Sequence, residues 1–374
     1  MKVNENAIYQ EAYRQELARI EYIILKENLD LFVGKYPHVS EHNRYQPQEN
    51  VLWTSSFFVG MCFLAYEDSQ DPVYLKYEKE HLKSFEDRLV KRNHISHDLG
   101  FEYTLSCVAD YLITGNPEGE RIARMAAQML TERYNEKGRH IQAWGEMGIA
   151  YPNVKIIIDT MLNLPLLYRT GDETCIAIAR NHAMTASRTL VREDFSTFHT
   201  YLMNPDTGEA VVGKTHQGHR DASTWARGQA WAVYGYALSY RYTREPWFLE
   251  VAQRTEKIFE NNLPHDMIPY WDFDFTDENP DIRDTSAASI FVCGLLELCE
   301  HVEPDQAEKY LKLVEEIMKS LREHYSTRNL PDSNGVLTEG MYHRNDGARE
   351  CTIWGDYFYM EALMRLTRDW RSYW

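Results

Sequence analysis

The chain has 374 residues, with 40 Lys plus Arg against 57 Asp plus Glu, for a formal net charge of −17. That balance argues against a nucleic-acid partner, which needs a basic surface, and against docking on an anionic membrane. At 44% hydrophobic residues the chain reads as globular, and its 9 Trp, 25 Tyr and 14 Phe exceed what a helical core needs and hint at a site lined with rings. No apolar run approaches the ~18 residues of a membrane span. The opening MKVNENAIYQEAYRQ lacks the basic and apolar regions of a secretory signal. Cys62, Cys107, Cys175, Cys293, Cys299 and Cys351 show no CxxC spacing, so reduced thiols and a cytoplasmic location are expected.

In chain order, a first helix is expected near 6–34. A pattern then recurs five times: a weakly charged, aromatic-rich segment, a polar break, and a charged amphipathic segment. The weakly charged segments are 52–68, 98–114, 154–170, 222–242 and 284–303. The breaks read EDSQDPVYL, ITGNPEGER, YRTGDETCI, YTREPWFLE and CEHVEPDQAEKY, rich in residues that end one helix and open the next. A last helix near 351–369 brings the number to twelve. Six hairpins that alternate a buried with a solvated helix close into an all-α (α/α)6 barrel, a single catalytic domain over 1–374. A linear solenoid is the competing arrangement. The closed ring is favoured because the long connections, 93–97, 136–153, 193–221, 264–283 and 327–350, all precede inner helices. They carry most of the His, Trp and isolated Asp residues. FHTYLMNPDTGEAVVGKTHQG is expected to form a small hairpin around NPDTG.

Three segments carry chemistry-bearing residues. HISHDLGF places His94, His97 and Asp98 at the start of an inner helix. Asp98 fits a helix N-cap, and two His with an Asp also fit a zinc site, although the spacing is not that of a metalloenzyme helix. In KIIIDTMLNLPLL, Asp159 interrupts an apolar run. A buried carboxyl must be paired, capped or protonated; held protonated beside a second carboxylate such as Asp98, it becomes a general acid near neutral pH. The stretch STFHTY through GQAW holds His199, His216, Gln217, His219, Trp225, Arg227 and Trp231. Trp stacks on a sugar ring and Arg pairs with a carboxylate, but Trp225 and Arg227 are two apart and share a face only at a helix start. Trp231 alone reads as core, and His199 and Gln217 alone as structural hydrogen bonders. Trp53, Trp144, Trp271 and Trp354 recur near inner-helix starts.

HDLGF, IQAWG, IIIDTMLNLPLL, FHTY, THQG, STWARGQAW, YWDF, RDTSAAS and IWGDYFYMEALMRL together resemble the unsaturated glucuronyl hydrolases, glycoside hydrolase family 88, in order from about Trp53 to Leu366. The resemblance implies an (α/α)6 barrel and removal of the 4,5-unsaturated glucuronic acid that polysaccharide lyases leave on glycosaminoglycan fragments. It implies Asp159 as the acid that protonates C4 of the enol ether and helps activate water toward C5, with Asp98 binding the sugar and tuning it. It implies Trp53, Trp144, Trp225 and Trp231 around the ring, His199, Gln217 and Arg227 on hydroxyl or carboxylate groups, and Tyr342 completing the pocket. No cofactor and no metal are implied, the partner is a small anionic sugar, and the oligomeric state is left open. Arg220 and His219 are further candidate cations at the pocket.

Two departures stand out. TSSFF follows Trp53 where the family often has TDGFW, which points to an altered pocket wall at Ser55 and Phe58. The loop HRNDGAREC lacks the Ser and Lys pattern of members that favour sulfated disaccharides, leaving Arg344 and Arg349 as candidate sulfate readers. The rival readings are a pectin-type unsaturated rhamnogalacturonyl hydrolase, an inverting glycosidase with carboxyls ~6.5–9.5 Å apart, an epimerase using a His pair, and a helical scaffold without chemistry.

Overall fold

The structure, a computed structural model, describes residues 7–149 and 152–374, with side chains from residue 10 onward. The first residue of the expected opening helix and two residues of the 136–153 connection lie outside these.

Twelve helical segments alternate between two rings among the described residues. The outer ring is α1 (Ala7–Ile23, extended by a π turn Ile24–Asn28), α3 (Glu78–Val90), α5 (Pro117–Thr131), α7 (Glu173–Thr189), α9 (Pro246–Asn261) and α11 (Pro304–Ser320, extended by a π turn Leu321–Tyr325). The inner ring is α2 (Ser55–Ser69), α4 (Leu99–Tyr103, π turn Thr104–Val108, then Ala109–Thr114), α6 (3-10 turn Ile158–Leu162, then Pro165–Tyr168), α8 (Ala226–Thr243), α10 (Thr285–Cys299) and α12 (Ile353–Thr367). Outer helices bury one stripe: in α5 only Gly119, Ile122, Ala123, Ala126, Ala127 and Leu130 are buried, at helical spacing. Inner helices are buried on most sides: every residue of α10 is buried, while α4 exposes Tyr111 and Leu112 in its last turn. Low charge in the weakly charged segments therefore reports burial on most sides.

The breaks work as helix punctuation. In ITGNPEGER, Gly115 takes a left-handed conformation (φ 72°) that ends α4, the Asn116 side chain accepts from Glu118 N at 3.1 Å, and Pro117 opens α5.

The arrangement is a closed (α/α)6 barrel. α12 packs on both α1 and α2, so the last inner helix meets the first and the solenoid alternative is excluded. Inner helices approach through glycines. A Cβ on Gly60 of α2 would lie 2.8 Å from the Tyr357 ring of α12, and one on Gly235 of α8 would lie 2.4 Å from Met161 Cβ of α6. The C-terminal ends of the inner helices are sealed by the last residues of the chain. Trp374 is fully buried, stacks on Phe358 at 5.8 Å and donates from its indole to Glu361 at 2.8 Å.

The N-terminal ends of the inner helices form the other rim, where the long connections carry three small antiparallel sheets. The hairpin predicted around NPDTG is β4 (Thr200–Met203) with β5 (Ala210–Lys214). A third strand, β3 (Lys155–Ile157), joins β4 where 154–170 was expected to be helical throughout. β-Branched Ile156 and Ile157 suit the pleated edge of β4, so helix begins only at Ile158, and Pro165 restarts it after a 3-10 turn. Two further hairpins were not foreseen: β1 (Tyr134–Asn135) with β2 (His140–Ile141), and β6 (Gly340–His343) with β7 (Asp346–Glu350). All six cysteines are free and buried, and no described helix is long and apolar enough to cross a membrane.

Candidate active site

Asp159 sits at the junction of β3 and α6. Ile158 N donates to His199 O at 3.1 Å, which holds the turn against β4 and aims the acid into the rim. Its side chain is 16% exposed. Burial pushes its pKa up from 3.8 to about 7; the Arg227 charge opposes this and the Asp98 charge adds to it. The Trp231 indole lies close enough to pull the value down slightly, yet Asp159 Oδ1 has no hydrogen-bond partner among the described residues.

Asp98 occupies the N-cap position of α4 but makes no capping bond. Instead its Oδ2 accepts from Ser96 Oγ at 2.8 Å, and its Oδ1 lies 3.4 Å from His97 Nε2. The capping role expected from sequence is therefore absent, and the carboxylate is free to face the pocket. Asn163 ties the two acid-bearing segments together: its Oδ1 accepts from Phe101 N at 2.6 Å and its Nδ2 donates to Asp159 O at 3.2 Å.

His199 is buried, with Nε2 at 3.7 Å from Asp159 Oδ1. Its Nδ1 accepts two backbone N–H groups, from His216 at 3.1 Å and Gln217 at 3.0 Å. A nitrogen that accepts cannot carry the proton, so the proton is on Nε2 and the ring is neutral. Burial and nearby cations hold its pKa well below the ordinary value. A histidine so fixed has no free ring lone pair and cannot serve as the base of an epimerase His pair. His94 is exposed, and among the described residues no group of three His, Cys, Asp or Glu is placed to hold a metal.

Trp225 and Arg227 do sit at a helix start, as their spacing required: Trp225 is the N-cap residue of α8, and the Arg227 guanidinium lies 4.4 Å from its ring centroid. Arg227 is buried and bonded to Asp284 Oδ2 at 2.8 Å and to Met341 O. Asp284 also caps α10 through Ser286 N at 3.1 Å. The expected partner of Arg227 was a sugar carboxylate; within the chain it already has a carboxylate.

Aromatic rings complete the rim. Half-buried Trp53 lies 5.0 Å from Trp354 and 5.4 Å from Phe101, and Tyr342 lies 5.7 Å from Trp354. Trp144 packs on His216 at 5.2 Å. Trp231 is fully buried between Phe101 and Phe358, so it is core and acid neighbour at once. Gln217 Nε2 donates to Tyr342 O at 3.1 Å, linking the loop before α8 to β6. The structure thus gathers Asp98, Asp159, Trp53, Trp144, His199, Gln217, Trp225, Arg227, Trp231 and Tyr342 at one rim.

The profile of Glycosyl Hydrolase Family 88 matches residues 26–367. The chain belongs to Glycosyl Hydrolase Family 88. It is 39% identical over 360 residues to a Streptococcus pneumoniae protein named unsaturated chondroitin disaccharide hydrolase, covering 94% of this chain and 91% of that one. It superposes with a TM-score of 0.92 on the crystal structure of unsaturated glucuronyl hydrolase from Streptococcus agalactiae, at 39% identity, covering 100% of this chain and 95% of that one. A variant of the Streptococcus agalactiae enzyme complexed with dGlcA-GalNAc6S superposes at 0.85, with 35% identity and both chains fully covered.

For a family 88 enzyme, several expected features turn out differently. Phe58 and Ser55 do not form the pocket wall: Phe58 is fully buried, 5.0 Å from Phe32, and Ser55 Oγ donates to Leu52 O at 2.9 Å. The TSSFF departure is therefore absorbed in the core. His219 and Arg220 are not free cations, since both bind Asp274, at 3.0 Å and 2.6 Å. Arg344 pairs with Asp281 and Arg349 with Glu339, each at 2.9 Å. Residues missed in the sequence include Asp284, Thr160, His343 and His38. His38 lies 4.6 Å from the Tyr342 ring and is pushed down to about 4 by burial. RDTSAAS carried a helix-cap signal that pointed to Asp284; the loop around His38 carried none.

Proposed function

We infer that the chain is a hydrolase that removes the 4,5-unsaturated glucuronic acid from the non-reducing end of glycosaminoglycan oligosaccharides by hydrating the enol-ether double bond. The observation that carries this reading is Asp159, a rim carboxyl whose pKa burial raises to about 7, surrounded by rings. Protonating a vinyl-ether carbon needs a positioned acid rather than a nucleophile. Asp159 delivers its proton to C4, positive charge develops at C5 and the ring oxygen, and water adds to C5 as the Asp159 carboxylate accepts its proton. The hemiketal then opens to a keto acid, C1 becomes a hemiacetal, and the remaining sugar leaves. The neutral His199 Nε2–H, 3.7 Å from Asp159 Oδ1, is placed to stabilise the carboxylate once the proton has gone. Asp98 raises the Asp159 pKa and engages the sugar, and Trp53, Trp144 and Tyr342 frame it. Trp225 and Arg227 form the floor, with Arg227 acting through its field on Asp159.

The named relatives and the dGlcA-GalNAc6S complex of the streptococcal variant support a glucuronyl rather than a pectin-type substrate. We read the whole chain as one catalytic unit. The six free thiols favour a reducing, cytoplasmic setting. The test is to incubate the protein with an unsaturated chondroitin or hyaluronan disaccharide and follow the ultraviolet absorbance of the conjugated double bond. Wild type is expected to abolish the absorbance and Asp159→Asn to leave it. Turnover of unsaturated rhamnogalacturonan fragments alone would replace this reading with the pectin-type one.

A further inference from the structure

We propose that Thr160 is a positioning residue whose hydroxyl donates to His97 Nδ1 and thereby sets the His97 Nε2–H that faces Asp98. His97 is buried at 2% exposure, with Nδ1 2.9 Å from Thr160 Oγ1 and Nε2 3.4 Å from Asp98 Oδ1. The two contacts fix the protons between them. A carboxylate only accepts, so Asp98 Oδ1, 3.4 Å away, favours the form with hydrogen on Nε2. A second proton would make a buried imidazolium, which burial and the Arg133 charge disfavour while Asp98 favours it. Nδ1 is then an acceptor and Thr160 the donor. The other groups around the ring do not change this assignment. Trp144 packs on it at 6.3 Å, and His182 and His199 sense it electrostatically while themselves held neutral by burial.

The placement gives the contact its consequence. Thr160 follows Asp159 and His97 precedes Asp98, so one hydroxyl joins the two acid-bearing segments. It also makes the environments of the two acids alike: each faces a neutral Nε2–H from a histidine whose Nδ1 is occupied, by two backbone amides at His199 and by one side chain at His97. The backbone amides at His199 cannot be removed by substitution, whereas Thr160 can. Without the hydroxyl, the alternative tautomer competes, and it turns the Nε2 lone pair toward the Asp98 carboxylate.

The catalytic half of this proposal rests on the functional reading above; the tautomer half does not. Histidine-labelled protein read by two-bond ¹⁵N–¹H correlation, with His97→Gln to assign the ring, is expected to show wild-type His97 as the neutral Nε2–H form near pH 7. Thr160→Val, similar in shape, is expected to lose that pattern and to lower kcat on the order of 10-fold with KM changed far less, the effect of one hydrogen bond. Thr160→Ser should restore both. A wild-type Nδ1–H pattern, an unchanged pattern in Thr160→Val, or a serine variant as impaired as the valine one would each overturn the proposal. Failure of wild type on unsaturated disaccharide would instead strike the functional reading, and the spectra would still decide the role of Thr160.

Discussion

Two buried carboxyls at opposite ends of the barrel answer burial in opposite ways. Glu297 of α10, beside the sealed end, is 2% exposed yet falls to about 2, whereas Asp159 at the open rim rises to about 7. Desolvation pushes both upward. Glu297 overcomes it through direct charge-assisted bonds to Arg241 at 3.1 Å and Arg365 at 3.3 Å, and through His301 at 3.1 Å. Asp159 has the Arg227 field without a bond to it, and that guanidinium is already matched by Asp284. What separates the structural anion from the proposed catalytic acid is the direct ion pairing each carboxyl receives.

The two acids also contribute to stability with opposite pH dependence. Glu297 has a depressed pKa, so its contribution is present above its ordinary value of 4.5 and is lost as pH falls toward about 2. Asp159 has a raised pKa, so the folded state favours its protonated form. That advantage is full below 3.8 and is lost as pH rises through about 7, where the ionised group weighs on the fold.

Removing the acid is expected to have the largest effect. Asp159→Asn should lower kcat by roughly 10³-fold, within the range for a lost general acid. The same variant should resist urea better than wild type at pH 8, because no buried anion remains to be formed. At the other end, Glu297→Gln removes the carboxylate that Arg241 and Arg365 share, leaving Arg365 with Glu361 and Arg241 with Trp374 O. Urea unfolding should show a loss of about 3–5 kcal/mol, the usual cost of breaking a buried pair from one side. Activity per folded molecule should stay near wild type.

Asp284→Asn tests the comparison more finely, because it moves Asp159 toward the situation of Glu297. Arg227 becomes unmatched, the Asp159 pKa falls, and the alkaline limb of the pH–rate profile should move acidward by about one unit. A shift toward alkaline pH would show that Arg227 does not govern the acid. The smallest effect is expected at Arg349, which is 59% exposed and paired with Glu339. Arg349→Ala should change stability by no more than about 0.5 kcal/mol. It should also leave the ratio of kcat/KM for sulfated over unsulfated disaccharide unchanged; a drop in that ratio would make Arg349 a sulfate contact.

Much of this arrangement was legible in the sequence where one residue's type and its near neighbours decide the outcome. The Gly-Asn-Pro break between α4 and α5, the acid inside an apolar run at Asp159, and the Trp225–Arg227 spacing that demanded a helix start are all local. What stayed hidden depends on distant partners. Arg227 finds Asp284 57 positions away, and the His199 tautomer is set by the backbone of His216 and Gln217. β3 was hidden because three isoleucines before an acid read equally as helix interior or strand, and only pairing with β4 decides. Phe58 and Ser55 misled because they lie close to Trp53 in sequence while their side chains point into the core.

Asp159 is central to the proposed chemistry because burial raises its pKa to about 7, so a large fraction of it holds at neutral pH the proton that the proposed reaction uses. The most direct test is the pH dependence of kcat/KM for wild type on an unsaturated chondroitin disaccharide, read as loss of double-bond absorbance. Activity is expected to fall as pH rises through an apparent pKa of about 7, and Asp284→Asn to move that limb toward acid. A profile flat from about pH 6 to pH 9 would contradict this role, because a carboxyl that ionises near neutrality cannot remain protonated across that range.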